Sequence, residues 1–580
     1  MTPTPRNQRL EVCPVLAQLT FQINHFANCL LDCLAETTTN NVRGKMRKLF
    51  IISVSLLMFF TPATIANAAE LPIYMKSSNA AAVLSVIATS GDTISGKYLP
   101  GIPDGMGALK NANGTITLLS NHEISNADKN AQLGRKENAP WGASISRMTY
   151  DVSTSKVTEV TPFIKSISYY NYTTGKWSAK WQGSAPAGAP ASDSYGAENF
   201  SNALNRFCSG DLIPAGGMSH TEIVNKKKIT YGTTESIYLT GEEGSDWSRV
   251  FAFDMNGNGV QLPRMGLASW ENALANPASG KSTVVMLNED GSATDSQLYM
   301  YLGTKQTNGA NFAEKAGFTN GELYTLSVAN FRTDNAFRTA VKPGVKIDAD
   351  FNKVNWNPRF VDFAKQSQSS GTTFARVEDG VWDPKNPNVY YFLTTESNKD
   401  PLATAPNPST PTVKRDGGAL WKLTFKDVKK PLLGAELEIL LNGSEGIYLN
   451  KPDNLGIDPA GYLLIQEDPG GNEHIARIVA YRIFDGKTAV VATFDENFVK
   501  TGGSRFITID EETSGIVDVS ALLRSKGDLA SYFFLNAQIH APASKSRPDL
   551  TVDAATLDAA VLEGGQYYLL KINDWNAIFS

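Results

Sequence analysis

Polar residues that could bind metal ions recur at one point of a repeated pattern, directly after a short apolar strand. Most are carboxylates, joined by a few histidine, asparagine and lysine side chains. The set comprises Asn121, His122, Glu123, Glu242, Glu243, Lys305, Glu396, Glu467, Asp468 and His540. If these charges met at one place they would repel one another without counter-ions. Hard cations such as Ca²⁺, which take six to eight oxygen ligands, are suitable partners.

A second set of acidic residues lies in turns that begin several of the repeats. These turns are Pro103-Asp104-Gly105, Trp270-Glu271-Asn272, Glu378-Asp379-Gly380 and Pro452-Asp453-Asn454. A carboxylate at such a position either joins a metal site or only solvates the start of a strand. The residue pattern leaves both interpretations open for Glu271 and Glu378.

Cysteine use gives a sharper indication. The chain has four cysteines, and Cys208 is the only one after residue 68. Asn205-Arg206 before it and Ser209-Gly210 after it are typical of a loop. An unpaired cysteine is either a small buried apolar residue or a metal-binding or reactive thiolate, and the local sequence allows both.

The elements that must position these residues are β-strands. Short β-branched and aromatic runs alternate apolar and polar side chains, and Gly, Asn, Asp and Pro divide them. Each polar cluster is followed by such a run, and these runs are residues 144–152, 248–255, 321–328, 418–425, 476–483 and 565–572. Six repeats predict an all-β fold, a β-propeller of about six blades. Two packed β-sandwiches are the alternative, but they give no reason for six similar polar endings.

A propeller places equivalent positions of every blade at equal radius and height. We therefore expect the polar clusters to meet around one end of the central channel. Residues 168–200, rich in Tyr, Trp, Ser, Ala, Gly and Pro, predict a long loop insertion after the first blade. Such a loop either covers the channel mouth or is a variable surface loop without a function.

Residues 46–68 have the parts of a Sec-type signal peptide. Arg47 and Lys48 precede the apolar run 49–60, and Ala66-Asn67-Ala68 matches the signal peptidase pattern. Residues 1–45 are then an extension produced by a misassigned start codon, or alternatively a real extension with an uncleaved apolar segment. Residues 69–580 form the predicted propeller domain. The apolar run is shorter than the roughly 20 residues of a spanning helix, so we expect export to the periplasm or the medium without a stable membrane anchor.

The composition limits the partners. A net charge of −5 and 42% hydrophobic residues argue against a nucleic-acid-binding protein, which would usually be basic. We expect a monomer that acts on a small molecule.

The motifs as a set resemble the PhoX-type alkaline phosphatases, over residues 95–572. The segment YLPGIPDGMGALKNANGTITLLSNHE is similar to the opening blade of that family. The Cys208-Ser209-Gly210 turn and Leu239-Thr240-Gly241-Glu242-Glu243 are similar to its cysteine-containing turn and Thr-Cys-Glu-Glu strand end. FARVEDGVWDP contains an Arg-x-Glu pair at Arg376 and Glu378.

This resemblance implies a secreted phosphomonoesterase with a cluster of Fe³⁺ and Ca²⁺ ions in the propeller channel. Cys208 would bind iron as a thiolate, with Glu243 and Glu271 as carboxylate ligands and Glu378 as a further metal ligand. Arg376 would contact the phosphate, with Asn121 nearby, since a guanidinium binds phosphate in a bidentate manner. The remaining predicted metal ligands are Glu123, Asp379, Glu467 and Asp468.

Three departures from the family concern activity more than fold. The leader lacks paired arginines, Gly241 replaces a frequent cysteine, and Trp270 replaces a histidine. Two alternatives to the phosphatase therefore stay open. One is a calcium-dependent propeller hydrolase of the phytase or lactonase type, and the other is a non-catalytic calcium-binding propeller.

Overall fold

The computed structural model describes residues 70–126, 142–179, 203–292, 294–358, 363–395, 417–443, 445, 447, 449–471 and 474–580. The predicted segments 1–45 and 46–68, Glu396, and residues 180–200 of the predicted insertion lie outside this part of the chain. Residues Ala69–Ser580 form one compact unit in which strands dominate. No helix among the described residues is long and apolar enough to cross a membrane.

The strands are numbered in chain order. The first sixteen are β1 (Met75–Ser77), β2 (Ala82–Thr89), β3 (Thr93–Ile94), β4 (Lys97–Tyr98), β5 (Pro103–Lys110), β6 (Ile116–His122), β7 (Ser144–Asp151), β8 (Lys156–Pro162), β9 (Ser166–Asn171), β10 (Lys176–Ser178), β11 (Phe207–Ile213), β12 (Ser219–Val224), β13 (Lys227–Gly232), β14 (Ile237–Glu242), β15 (Val250–Asp254) and β16 (Asn258–Gln261). The others are β17 (Trp270–Ala275), β18 (Ser282–Glu289), β19 (Leu298–Thr304), β20 (Glu322–Val328), β21 (Ile347–Val354), β22 (Val377–Trp382), β23 (Val389–Thr394), β24 (Ala419–Phe425), β25 (Ala435–Leu441), β26 (Pro452–Ile457), β27 (Tyr462–Glu467), β28 (Arg477–Arg482), β29 (Thr488–Phe494), β30 (Glu511–Asp518), β31 (Ser531–Pro542) and β32 (Glu563–Ile572).

The helices are short and lie between or after strands. They are α1 (Phe312–Ala316), α2 (Asp334–Ala340), α3 (Phe363–Ser370), α4 (Glu496–Val499), α5 (Ser520–Leu523), α6 (Ala543–Ser546), α7 (Ala554–Val561) and α8 (Trp575–Ile578), with 3₁₀ turns at Pro263–Met265 and Pro431–Leu433.

These strands build six antiparallel blades. Blade I is β5–β8, blade II is β11 with β14–β16, blade III is β17–β20, blade IV is β22–β25, blade V is β26–β29, and blade VI is β30–β32 with β2. The first strand of each blade packs against the first strand of the next, and β30 packs against β5, which closes the ring. The predicted β-propeller of about six blades is confirmed.

Two N-terminal strands complete the last two blades. Strand β2 pairs with β32, with Ala82 opposite Ile572, and β1 pairs with β29, with Met75 opposite Phe494. The two ends of the chain are thereby joined by backbone hydrogen bonds. The apolar core lies between blades, because each of six buried clusters is shared by two neighbouring blades.

The first strands of five blades begin with a β-bulge. The register shifts between Pro103 and Met106, Phe207 and Gly210, Trp270 and Asn272, Val377 and Gly380, and Pro452 and Leu455. A bulge places extra residues opposite one partner residue and redirects their side chains. The acidic turns and Cys208 all lie in these bulges, at the same end of the channel.

Two features differ from the sequence expectation. Residues 168–178 are not loop, because they belong to β9 and β10, which pair at the outer edge of blade II. Blades III and IV are also joined at their outer edges through β21 and β25 into one nine-stranded sheet.

In the third repeat the predicted strands are displaced by one position along the chain, because the polar ending that contains Lys305 follows β19 and not β18. Residues 300–306 and 321–328 are the third and fourth strands of blade III, and the second strand is β18. Lys305 therefore lies at the opposite end from the polar clusters, where its ammonium donates to the Ser282 carbonyl at 2.6 Å. Since β18 and β19 are both apolar runs with polar endings, the pattern alone could not separate them.

Candidate metal and phosphate site

The polar clusters at the ends of the second strands contain two kinds of residue. In every blade the backbone N–H of the later residue donates to the carbonyl of the residue just before the first strand. These bonds are Glu123–Ile102, Glu243–Arg206, Asp290–Ser269, Thr395–Arg376, Asp468–Lys451 and His540–Asp510, all between 2.9 and 3.0 Å. Consecutive residues of a strand point to opposite faces. The earlier residue therefore packs inside its blade, while the later one lies at the channel mouth.

The earlier residues are held by the third strand of their own blade. Glu242 and Arg249 form an ion pair at 2.7 Å in which both side chains are fully buried. Glu467 accepts from Arg477 at 2.8 and 2.6 Å and from His474 at 3.0 Å. Burial would raise the pKa of Glu467, but Arg477 outweighs it and lowers that pKa to about 2. Glu467 is thus engaged inside its blade, unlike the channel ligand that the sequence predicted.

The histidine of the first cluster follows the same rule. The two ring nitrogens of His122 lie 2.8 Å from the Gly101 carbonyl and 2.6 Å from the Ser146 hydroxyl. In blade III, Glu289 accepts from the Gln297 N–H at 2.8 Å. Sequence reasoning could have found two of these contacts, because Arg249 directly precedes the third strand of blade II and Arg477 begins that of blade V, opposite Glu242 and Glu467.

Five bulge residues and Glu123, which follows β6, come together as six potential ligands in two groups. One ligand atom from each of Asp104, Glu123 and Cys208 lies within 4.8 Å of the others, and the same is true of Glu271, Glu378 and Asp453. Glu243 adjoins the first group, with its Oε2 3.2 Å from the Cys208 Sγ. Glu271 links the groups, because its carboxylate accepts from the Ser209 N–H at 3.3 Å.

Close approach of the first strands makes these groups possible. A Cβ on Gly105 would lie 2.3 Å from the Gly210 nitrogen, so only glycine lets Asp104 come beside Cys208. Similarly, a Cβ on Gly241 would lie 2.4 Å from the Trp270 Cβ. Trp270 itself is buried in the core between blades II and III, edge-to-face with Tyr299. The departures at positions 241 and 270 therefore leave both ligand groups intact.

Burial dominates the electrostatics of the groups. It raises the pKa of Asp104, Glu271, Glu378 and Asp453 well above the usual carboxyl range, and neighbouring carboxylates raise each further. Burial, together with nearby carboxylates, also raises the pKa of the Cys208 thiol. Burial raises the pKa of Glu243 to about 7 although Arg206 opposes it. Without bound cations these carboxyls and the thiol therefore favour their neutral forms. Glu123 differs, because burial would raise its pKa but Arg206 outweighs burial and lowers it.

Three cationic side chains surround the mouth at equivalent positions. Arg206, Arg376 and Lys451 each precede the first strand of a blade, in left-handed conformations with φ of 38°, 63° and 48°. Arg206 pairs with Glu123 and lies 2.6 Å from Glu243. Arg376 donates from Nε and Nη2 to Asp290 at 2.8 and 2.7 Å and lies 3.6 Å from Glu378.

Three other predicted residues have structural contacts at this site. The Asn121 amide donates to the Cys208 and Ser209 carbonyls at 2.7 and 3.1 Å, so it supports the cysteine bulge from inside rather than facing the mouth. Asp379 accepts from Asn272 at 2.7 Å and from the Leu455 N–H at 3.1 Å, which ties neighbouring blades together. Asp468 lies at the mouth and accepts from the Gly470 N–H at 3.0 Å.

The residues present suit a mixed metal cluster. The first group combines a thiolate donor with carboxylates, a set that iron accepts, and the second offers oxygen only, as calcium prefers. Within the described part of the chain, Glu378 Oε1 is buried without a hydrogen-bond partner, and Arg376 Nη2 lies 3.6 Å away, so this oxygen is available to a bound cation. Of the predicted ligands, Cys208, Glu123, Glu243, Glu271 and Glu378 come together.

Sequence reasoning missed several residues of the site. The sequence indicates Asp104 and Asp453 as turn residues but does not predict them as ligands. Asp290 is not predicted because it follows β18, the strand of blade III that the repeat pattern passes over. Glu512, which no motif indicated, flanks the mouth next to His540, a residue of the predicted polar set, with 3.7 Å between Oε2 and Nε2. Burial raises the pKa of Glu512 to about 8.

Comparison with known proteins gives a matching family and solved structures with a similar fold. Residues 231–515 match the family described as alkaline phosphatase PhoX. The fold is similar to that of Pseudomonas fluorescens PhoX in complex with vanadate, a transition state analogue, with a TM-score of 0.50 and 12% identity over 87% of this chain and 97% of that one. A protein of unknown function from Dyadobacter fermentans is also similar, with a TM-score of 0.36 and 7% identity over 86% of this chain and 100% of that one. No curated protein matches the chain.

Proposed function

We propose that this chain, whose residues 231–515 match the alkaline phosphatase PhoX family, hydrolyses phosphomonoesters at the channel mouth with iron and calcium ions held there. The observation that carries the proposal is the meeting of two buried ligand groups, one of which contains Cys208. A hydrolase that uses calcium alone has no need of a thiol among carboxylates. A non-catalytic calcium module has no need of three cations around the same mouth.

The donor chemistry of the two ligand groups supports one distribution of the metals between them. Cys208 with Glu243, Asp104 and Glu123 would hold iron, and Glu378 with Asp453 would hold calcium. Glu271 would serve either group, since it lies between them. When bound, the ions would neutralise phosphate oxygens and activate the oxygen nucleophile.

The protein's own side chains would bind and orient the substrate. Arg376, Arg206 and Lys451 together place positive charge around the mouth, which attracts a phosphate dianion. Asp290 holds the Arg376 guanidinium through two parallel hydrogen bonds, so this cation has a fixed orientation next to Glu378. A guanidinium so oriented binds phosphate with less loss of conformational freedom than a flexible lysine would.

Substitution of Arg376 tests the proposal. The metal-loaded wild type should hydrolyse p-nitrophenyl phosphate at alkaline pH, and Arg376→Ala should reduce kcat/KM by about 10- to 150-fold. This range corresponds to one hydrogen bond to a charged group, about 1.5–3 kcal/mol. Arg376→Lys should recover part of the loss. Lysine restores the positive charge but not the two parallel N–H donors of the guanidinium. Metal content, measured by mass spectrometry, should stay unchanged.

Arg482 supplies a matched control, because it also forms a bidentate pair with a carboxylate, at 2.7 and 2.6 Å from Asp485, but at the other end of blade V. Arg482→Ala should keep wild-type kcat/KM. Full activity of Arg376→Ala would remove this residue from phosphate binding. An inactive wild type with both metals bound would remove the phosphatase proposal itself.

We also propose that residues 46–68 direct export and that the exported protein is a monomer starting near Ala69. The compact unit that begins at Ala69 supports this boundary. N-terminal sequencing of protein from the periplasm or the medium should give a start at or near Ala69, and light scattering should give the mass of one chain. An exported protein that keeps residues 46–68 would contradict the assignment of a cleaved leader.

A further inference from the structure

The end of the propeller opposite the candidate site carries a surface that the phosphatase proposal does not use. The site lies where the first strands begin, so this second end lies where they finish. The hairpin of β12 and β13 follows the end of β11 there. We define the basal patch as Ile223–Lys228 at the hairpin tip, Lys281, and Lys429–Leu433.

The basal patch exposes several large apolar side chains. Ile223 is 78% exposed, and Leu432 and Leu433 are 52% and 56% exposed. Single exposed apolar residues are common, but several next to one another mark an interaction surface.

The same patch is positively charged. It contains Lys226, Lys227, Lys228, Lys281, Lys429 and Lys430, in a chain whose net charge is −5. Lys281 pairs with Glu222 at 3.4 Å. Among the described residues no carboxylate forms an ion pair with Lys226, Lys227 or Lys228, all of which are exposed.

The separate segments of the patch form one surface. The Lys281 ammonium lies 4.0 Å from the Tyr231 ring centroid, at the base of the hairpin. The Ser282 hydroxyl donates to the Lys429 carbonyl at 3.2 Å, and Gly280 packs beside the Lys429 side chain. Lys281 therefore lies between the hairpin, which it contacts at Tyr231 and Glu222, and the segment that packs against Lys429.

Other turns at this end repeat the combination of an exposed apolar residue and a lysine. Phe484 is 91% exposed in the turn that contains Lys487, and Leu529 is 89% exposed in the loop that contains Lys526. These turns belong to blades V and VI. A flat surface could contact the patch and these turns together.

We propose that the basal end binds reversibly to an anionic lipid bilayer, which leaves the mouth of the candidate site open to solution. Lysines next to an anionic surface and apolar side chains at the depth of the headgroups together give peripheral binding. A soluble polyanion would use the lysines but would gain nothing from Ile223, Leu432 and Leu433. The exposed apolar side chains thus favour a bilayer over an acidic polymer.

Vesicle sedimentation tests the proposal with the compact unit Ala69–Ser580, because the apolar run 49–60 would bind lipid by itself. The unit should bind phosphatidylglycerol–phosphatidylcholine vesicles and not pure phosphatidylcholine vesicles. Replacing Lys226, Lys227 and Lys228 with glutamine should weaken binding about 100-fold at low salt. Replacing Ile223, Leu432 and Leu433 with serine should weaken it by about 10-fold or more, since less apolar surface leaves water.

A matched control replaces Lys342, Lys500 and Lys545 with glutamine. These exposed lysines follow strands that end on the other side of the molecule, and the variant loses the same charge. It should bind vesicles within about twofold of the wild type. All variants should keep their thermal stability and phosphatase activity.

Two results would overturn the proposal. One is equal binding of the control and the basal lysine variants, which would reduce the effect to net charge. The other is a loss of binding for the lysine variant alone, with full binding by the serine variant, together with retention on heparin. That pattern would identify a soluble polyanion as the partner.

Discussion

Replacing Cys208 with serine should reduce the phosphatase activity of the metal-loaded protein by more than about 100-fold and remove its iron. Loss of a residue that only supports a metal ligand already costs about 10- to 100-fold, so loss of a ligand should exceed this. Serine keeps the shape of cysteine, but its hydroxyl hardly ionises where a thiol can give a thiolate. The Cys208 Sγ lies 3.2 Å from the Glu243 carboxylate. The serine variant would therefore lack the sulfur ligand next to this carboxylate.

Iron content distinguishes this result from a simple packing defect. The Cys208→Ser protein should lose iron but keep its calcium, because the oxygen-only group around Glu378 is unchanged. Its melting temperature without metals should match that of the wild type, since the bulge and its Asn121 support remain. A buried, inert thiol would give the opposite pattern, with activity and iron kept and stability slightly reduced. That outcome would remove Cys208 from the metal site.

Removing the metals should destabilise the protein most strongly at alkaline pH. Burial raises the pKa of Glu243 to about 7 and of Glu512 to about 8, above the value near 4.5 expected in the unfolded chain. Between about pH 4.5 and pH 8 the metal-free folded state therefore holds more protons than the unfolded state. The free energy of unfolding falls as pH rises in that case. Metal-free protein should thus melt at a higher temperature at pH 5 than at pH 8.

Bound cations should reverse this trend, because they stabilise the ionised carboxylates. A ligand at a hundredfold excess over its dissociation constant adds about 2.7 kcal/mol. At pH 8 chelation should therefore lower the melting temperature by several degrees, as calorimetry with and without a chelator can measure. Superimposable melts would show that the carboxylates are held without metals.

The effect of Glu271→Gln on the melting temperature should change sign between the metal-free and the metal-loaded protein. At pH 8 the variant should melt higher than the wild type without metals. Burial raises the pKa of Glu271, so its carboxyl ionises more readily in the unfolded chain than in the fold, and the neutral amide of glutamine has no such difference. With metals it should melt lower, because a ligand is missing. The exposed Glu235 is a matched control, and Glu235→Gln should change neither melt appreciably. A shift of Glu271→Gln in the same direction under both conditions would contradict a role in metal binding.

The sequence alone determined the repeat and the chemistry it carries. An alternating strand such as 144–151 buries one face whatever its distant neighbours, so its pattern can be read locally. The acidic turns and the lone Cys208 were also visible, because bulges need particular short polar and glycine residues. These local signals were sufficient to predict the propeller fold and the resemblance to the phosphatase family.

Only the tertiary structure decided which polar residues share the site. Glu242 and Glu243 are adjacent and chemically identical, yet Glu242 is neutralised by Arg249 inside its blade while Glu243 reaches Cys208. The alternation of strand faces and the partner on the next strand make this difference. Asp104 and Cys208 are far apart in sequence and meet because the ring of first strands closes tightly at Gly105 and Gly210. Such a contact depends on the closure of all six blades, which no local pattern contains.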